Sequence, residues 1–181
     1  QFYFYLCCWL CAMSLNTLAN NETAAQDISI HLKQIAPDVW THTSYYTYPN
    51  GVKFPSNGLI VKNAQALTLI DTAWGEIQTQ QLLIEIKNTL NLPVTHAVVT
   101  HAHSDRAAGV DVLEAQGIEV WAHPLTQQLT IEHGLPVPNK VFERLSKANS
   151  QVDFQSTKVL FPGAGHAMDN LMVWLPQQKI L

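Results

Sequence analysis

A chain of 181 residues that is 47% hydrophobic holds enough apolar material for one domain with a substantial core, and is too short for two full domains. Ten basic residues against fourteen acidic ones leave a net charge of -4, so there is no basic footprint and nucleic acid is excluded as a partner on electrostatic grounds. All three cysteines, Cys7, Cys8 and Cys11, lie in the first eleven residues, and the rest of the chain can form no disulfide.

The apolar run "FYFYLCCWLCAM" has the length of a secretory h-region and falls short of the roughly 20 residues needed to span a bilayer. The small-residue stretch "TLA" after it is a cleavage site in form, and residues 1–19 read as a secretory signal peptide without its positive start. The alternative is a buried N-terminal helix. A single domain is expected over residues 28–181.

Alternation in "ISIHLKQI" and in "DVWTHTSY" predicts two adjacent strands. "TYPNGVKFPSNG" carries two prolines and two Asn-Gly pairs, the mark of a hairpin or a mobile loop bearing aromatics. Two apolar strands follow in "GLIVKNAQALTLIDTAWG", separated by a turn at residues 62–65. Ile77, Leu82, Leu83, Ile86 and Leu90 sit at helical intervals over residues 76–90, with Pro93 just beyond. "THAVV" is a short buried strand, "AAGVDVLEAQG" a helix ending at Gly117, "IEVWAH" a strand, and "PLTQQLTIEHG" a helix opened by Pro124 and closed by Gly134. Residues 135–157 are polar, weakly patterned and read as irregular. The last segment gives a strand, a glycine-bounded loop with His166, a second strand, a turn near residues 176–178, and the start of another strand. Alternating strands and helices argue for an α/β architecture.

"THAHSDRAAG" joins the strand "THAVV" to the helix after it. In an extended segment, residues two apart face the same way, so His101, His103 and Asp105 are placed to offer ligands to one point. Ligand sites of α/β sheets lie at the carboxyl ends of strands, and a catalytic zinc takes three protein ligands with one position open. A third ligand is expected from a distant histidine, and His166 in "PGAGHAMDN" fits best, in a loop made tight by Gly163 and Gly165. His31, His42, His96, His123 and His133 lack ligand-spaced neighbours and are read as structural or surface residues.

Together "HAHSDR", "FPGAGHAMDN", "LIDTAWG" and "FPSNGLIV" resemble the class B metallo-β-lactamases of the first subclass, from about residue 28 to the end of the chain. His-x-His-x-Asp alone marks only the wider metallo-hydrolase superfamily; Arg106, where other branches carry histidine, narrows it. The resemblance implies a four-layer αβ/βα sandwich, here lacking its C-terminal part, with two Zn2+ per intact enzyme. His101, His103 and His166 would hold the first zinc. Asp105 would hold the second and orient the zinc-bound hydroxide that opens the β-lactam ring of antibiotics, conferring resistance. The other two ligands of that second zinc, a cysteine and a histidine, normally follow the third histidine, and residues 167–181 contain neither.

By the same resemblance Asp71 supports the ligands from behind, unless it is only a turn or capping residue. Arg106 adds charge there, unless it is an ordinary surface arginine. Tyr48, Phe54 and Trp74 form an apolar wall over the substrate, or pack as ordinary lid residues. A small-molecule β-lactam substrate, a monomer, a periplasmic location and no membrane association after signal removal complete the expectation. The alternatives are a hydrolase of the same superfamily acting on a thioester or phosphodiester, and a catalytically silent zinc-binding fragment.

Overall fold

The computed structural model describes residues 28–181; the signal-peptide reading of residues 1–19 lies outside them. A seven-stranded sheet runs in chain order through β1 (His31–Ala36), β2 (Val39–Thr47), β3 (Lys53–Asn63), β4 (Ala66–Ile70), β5 (Val94–Val98), β6 (Glu119–Ala122) and β7 (Lys140–Val141). The first four strands are antiparallel and the last four parallel, so β4 belongs to both halves. A second sheet of three antiparallel strands consists of β8 (Ser150–Phe154), β9 (Thr157–Phe161) and β10 (Met172–Trp174), with β9 in the middle.

The alternation read in the sequence separates two cores. On one face of the large sheet, Ile60, Leu67, Leu69, Ala97 and Val120 meet α1 (Gly75–Leu90) and α3 (Val110–Ala115). On the other face, Val39, Val61, Ile70 and Val98 meet Val159, Phe161 and Val173 of the small sheet. Successive residues such as Leu69 and Ile70 therefore enter different cores, as the two-residue period of a strand requires. The described residues thus stack as helices, large sheet and small sheet, three layers of the expected four-layer α/β sandwich.

Four sequence readings change in detail. The aromatic segment is an ordered hairpin: β2 and β3 pair from Val39↔Val61 out to Thr47↔Lys53. Its tip closes through Tyr48 N–H to Val52 O at 2.8 Å, with Gly51 in the left-handed region at φ 80°, a shape that suits three-residue hairpin loops. The helix read over "AAGVDVLEAQG" is two pieces, α2 (Ser104–Ala107) and α3, because Gly109 turns its N–H to Thr72 Oγ1 at 3.2 Å. A Cβ at Gly109 would stand 2.0 Å from Thr79 Oγ1, so the break lets α1 approach. The buried face of α1 is also more polar than its apolar stripe suggested: Gln78 and Thr79 are buried, whereas Ile77 is 62% exposed. Finally, residues 135–157 are not irregular throughout, since they contain β7, a short 3-10 turn (Glu143–Leu145) and β8. The weak patterning of β8 arises because one of its faces is solvent-exposed and polar.

Candidate metal centre

The site lies where β4 and β5 end side by side, and it is built from the turns that leave them. Beyond β5 the chain bends at residues 101–103, where His103 N–H donates to His101 O at 3.0 Å around Ala102, and His103 then caps α2: the N–H groups of Arg106 and Ala107 both reach His103 O, at 2.9 Å each. His101 and His103 therefore keep the two-residue spacing and face one point, whereas Asp105 is one residue into a helical turn. The expected convergence holds for the two histidines, but it is a tight turn at Ala102 and not an extended segment that brings them together, and Asp105 leaves the group on entering α2.

The nitrogen donors of His101, His103 and His166 lie within 4.8 Å of one another, His101 buried and the other two exposed. Their rings meet edge to face, with centroids 4.6, 4.9 and 5.1 Å apart. His101 Nε2 is 3.1 Å from His103 Nδ1, and two nitrogens bonded to one tetrahedral zinc at 2.0–2.1 Å stand about 3.3 Å apart. Burial first, then the neighbouring charges of His103, Arg106 and His166, pushes His101 down to about 4. A neutral imidazole with a free lone pair is the form a metal binds. Donor type, number and spacing thus all fit zinc, with the exposed side open.

Why these nitrogens point inward follows from their supports. Thr100 Oγ1 donates to Asp71 Oδ2 at 3.0 Å and lies 3.1 Å from His101 Nδ1, so it accepts the Nδ1 proton and leaves Nε2 facing the centre. Asp71 also accepts the Thr100 N–H on Oδ1 at 2.7 Å, and the guanidinium of Arg106 stands 3.4 Å from Oδ2. Asp71 itself is buried and holds φ 66°, an unfavourable conformation for a non-glycine residue. Ala102, between the two histidines, is held from both sides. Its N–H donates to Asp169 Oδ2 at 2.9 Å, and its carbonyl lies 2.8 Å from His133 Nδ1. Asp169 belongs to the His166 loop, is 1% exposed, and also accepts from Thr126 Oγ1 at 2.8 Å on α4 (Pro124–Glu132). Leu171 N–H to Thr100 O at 2.8 Å closes the link between the two ligand-bearing segments.

Asp105 is outside the histidine triplet. Its Oδ2 accepts from Ser56 Oγ at 3.0 Å and lies 3.1 Å from Arg106 Nε. Arg106 is thus no free surface residue: it spans Asp71 and Asp105, and it holds Asn57 O through Nη1. Phe54 and Trp74 meet edge to face at 6.5 Å, and Tyr48 reaches Trp74 only through Tyr46, 5.0 Å from one ring and 5.3 Å from the other. Trp74 lines a cavity of about 340 Å3 with His103, Ser104, Asp105, His133 and Leu135. Sequence reasoning missed Tyr46, Ser56, Thr100 and Asp169. Only Thr100 and Asp169 left a signal, as polar residues inside the two histidine motifs.

Burial raises Asp71 to about 6, against the pull of Arg106 and of the hydrogen bonds from Thr100. Between the ordinary carboxylate value and that one, the unfolded chain ionises first, so this residue's contribution to stability is complete below the ordinary value and is lost as pH rises through about 6. Asp71→Asn removes that loss. Chemical denaturation of metal-free protein should show the variant gaining about 2 kcal/mol on wild type between pH 4 and pH 7. A difference independent of pH would contradict it.

Comparison with known proteins agrees with this architecture. Residues 51–181 match the family described as the metallo-beta-lactamase superfamily. Two curated relatives named metallo-beta-lactamase type 2 are 35% identical over 163 residues, from Bacillus sp. (strain 170), and 34% identical over 161 residues, from Bacillus cereus. Each match covers 89% of this chain, which spans about 60% of the length of those relatives. A metallo-beta-lactamase from Pseudomonas aeruginosa, solved in its mono-zinc form, superposes with a TM-score of 0.80 at 34% identity, covering 84% of this chain and 67% of that one. One from Hirschia baltica gives 0.78 at 35%, with 82% and 67% covered.

Proposed function

This chain belongs to the metallo-beta-lactamase superfamily, and from that membership we propose that it carries the first zinc site of an exported, zinc-dependent hydrolase of the β-lactam ring, of the first class B subclass. The observation that carries the reading is the convergence of three imidazoles from two segments more than sixty residues apart, His101 with His103 and His166, on a point left open to solvent.

His101, His103 and His166 would hold the ion. Bound zinc supplies Lewis acidity, which makes water reactive at neutral pH and polarises a carbonyl oxygen. The chain's own residues supply orientation. Thr100 and Asp71 fix the tautomer of His101, and Asp169 keeps the two histidine segments in register. Asp105, held by Ser56 and Arg106 beside His103, places a carboxylate where it can accept a proton from water, direct its attack, or bind a second zinc. Arg106 keeps positive charge between Asp71 and Asp105 and so limits their mutual repulsion. Tyr48, Phe54 and Trp74, with Tyr46 between them, give the substrate an apolar wall that excludes water on one side.

Export to the periplasm belongs to the same reading and rests on the apolar stretch and small-residue site of residues 1–19. Among the described residues no helix is long and apolar enough to cross a membrane. The test is hydrolysis of a chromogenic cephalosporin by the zinc-loaded protein. Activity should vanish with a chelator and return with zinc. Turnover that survives chelation, or turnover of a thioester or phosphodiester in place of the lactam, would refute the assignment.

A further inference from the structure

His42 is one of the histidines whose spacing gave it no role, and it sits directly behind the site. It lies on β2, 1% exposed, opposite Gly58 in the β2–β3 register. Its Nε2 is 3.3 Å from the carbonyl of Ile70, the peptide that leads into Asp71. A carbonyl accepts only, so Nε2 carries the proton, and Nδ1 is buried without a hydrogen-bond partner. Gly58 makes the contact possible: a Cβ there would fall 2.2 Å from His42 Nε2 and 2.3 Å from Ile70 O. A conventional core would place an aliphatic residue at such a position. Here a buried polar ring is kept with one nitrogen unpaired, which costs stability.

The one backbone feature that needs holding at this point is Asp71, whose φ of 66° sets its carboxylate against Thr100 and Arg106. We propose that His42 is a positioning residue of the metal centre, whose Nε2–H fixes the Ile70–Asp71 peptide and thereby the chain of contacts Asp71, Thr100, His101. The ring acts through three intermediates and touches none of the three converging imidazoles. Its effect is on how well His101 Nε2 is aimed, not on the chemistry that follows. Burial, the largest influence on the ring, lowers its pKa to about 4, and the ring stays neutral in the single tautomer this role needs.

This inference rests on the zinc reading above, and its test separates the two. Zinc affinity is measured by competition with a chromophoric chelator for wild type, His42→Leu and His42→Gln, alongside the stability of each metal-free protein. His42→Leu removes the donor and should weaken zinc binding at least ten-fold, the scale at which residues supporting metal ligands act. His42→Gln keeps an N–H donor and should recover most of that affinity even if its stability is as low as that of the leucine variant. Leucine and glutamine variants that bind zinc like wild type, or that lose affinity in proportion to lost stability, would overturn the proposal. Should neither variant fold, long-range 1H–15N correlation on wild type decides. The Nε2–H tautomer, with a shift that moves on zinc addition, supports the proposal; the Nδ1–H tautomer or a shift unmoved by zinc overturns it. Wild type that binds no zinc would overturn the functional reading first, and this one with it.

Discussion

Substituting alanine for His101 or for His166 is expected to weaken zinc binding by more than about 100-fold, the upper end of what the loss of a mere supporting residue costs, and to abolish lactam hydrolysis. Each change takes one of three donors from a centre in which His101 Nε2 and His103 Nδ1 are already 3.1 Å apart. The remaining pair would have to rely on water for half of a tetrahedral shell. The two variants should differ in stability. His166 is exposed on its loop and its removal should leave the fold intact, whereas His101 is buried, so its loss leaves a cavity and takes one of two partners from the Thr100 hydroxyl, which keeps its bond to Asp71. Titration with zinc and thermal denaturation of the metal-free proteins distinguish the two effects. A His166→Ala protein that binds zinc within a few-fold of wild type would remove that residue from the centre.

Asp169→Ala should be the most damaging change away from the three histidines, lowering stability by about 2–4 kcal/mol and zinc affinity at least ten-fold. Its Oδ2 is the acceptor for Ala102 N–H and Thr126 Oγ1. Alanine leaves both donors buried without a partner, and it frees the His166 loop from the segment between His101 and His103. Asp169→Asn keeps an acceptor in the same place and should lose less on both counts. Urea denaturation gives the stability term, and zinc titration of the folded variant gives the other. A variant of unchanged stability would show that the two segments are held by other contacts.

The histidine centre was legible in the sequence because its determinants are local. His-x-His directly after a buried strand sets both rings at the strand's end, where a turn closed by His103 N–H to His101 O brings them together, and glycine on both sides of Ala164 marks the tight path that presents His166. What failed to read was what the chain does over longer distances or at changes of conformation. Asp105 looked like a third member of the run because spacing alone does not reveal that His103 caps a helical turn. The bond from Asp169 to Ala102 joins residues 67 apart in the chain, and Ser56 meets Asp105 across 49. Neither pairing leaves any periodic trace.

The fold divides along the same line. Strands β4 and β5 and the half of β3 from Gly58 onward were evident because their buried residues form apolar runs, whereas β8 was missed because alternate residues, Gln151 and Asp153, face water. The buried Gln78 and Thr79 of α1 defied the helical stripe for a local reason. Gly109 presses on Thr79, and Gln78 Nε2 donates to Tyr45 O at 2.7 Å, anchoring the aromatic hairpin to the helix. Polar residues inside that face serve the site's approach and not the core, so hydrophobic periodicity passes over them. Left-handed Asp71 is the same kind of exception: aspartate tolerates that conformation better than most residues, and its contacts with Thr100 and Arg106 hold it there.

The central claim is that imidazoles from two separate segments share one ion. X-ray absorption at the zinc edge, on protein loaded with a single equivalent of zinc, addresses it directly. The spectrum should show a first shell near 2.0 Å whose multiple-scattering pattern requires three imidazole rings, falling to two in His166→Ala. A shell of oxygen donors, or an imidazole count that His166→Ala leaves unchanged, would contradict it.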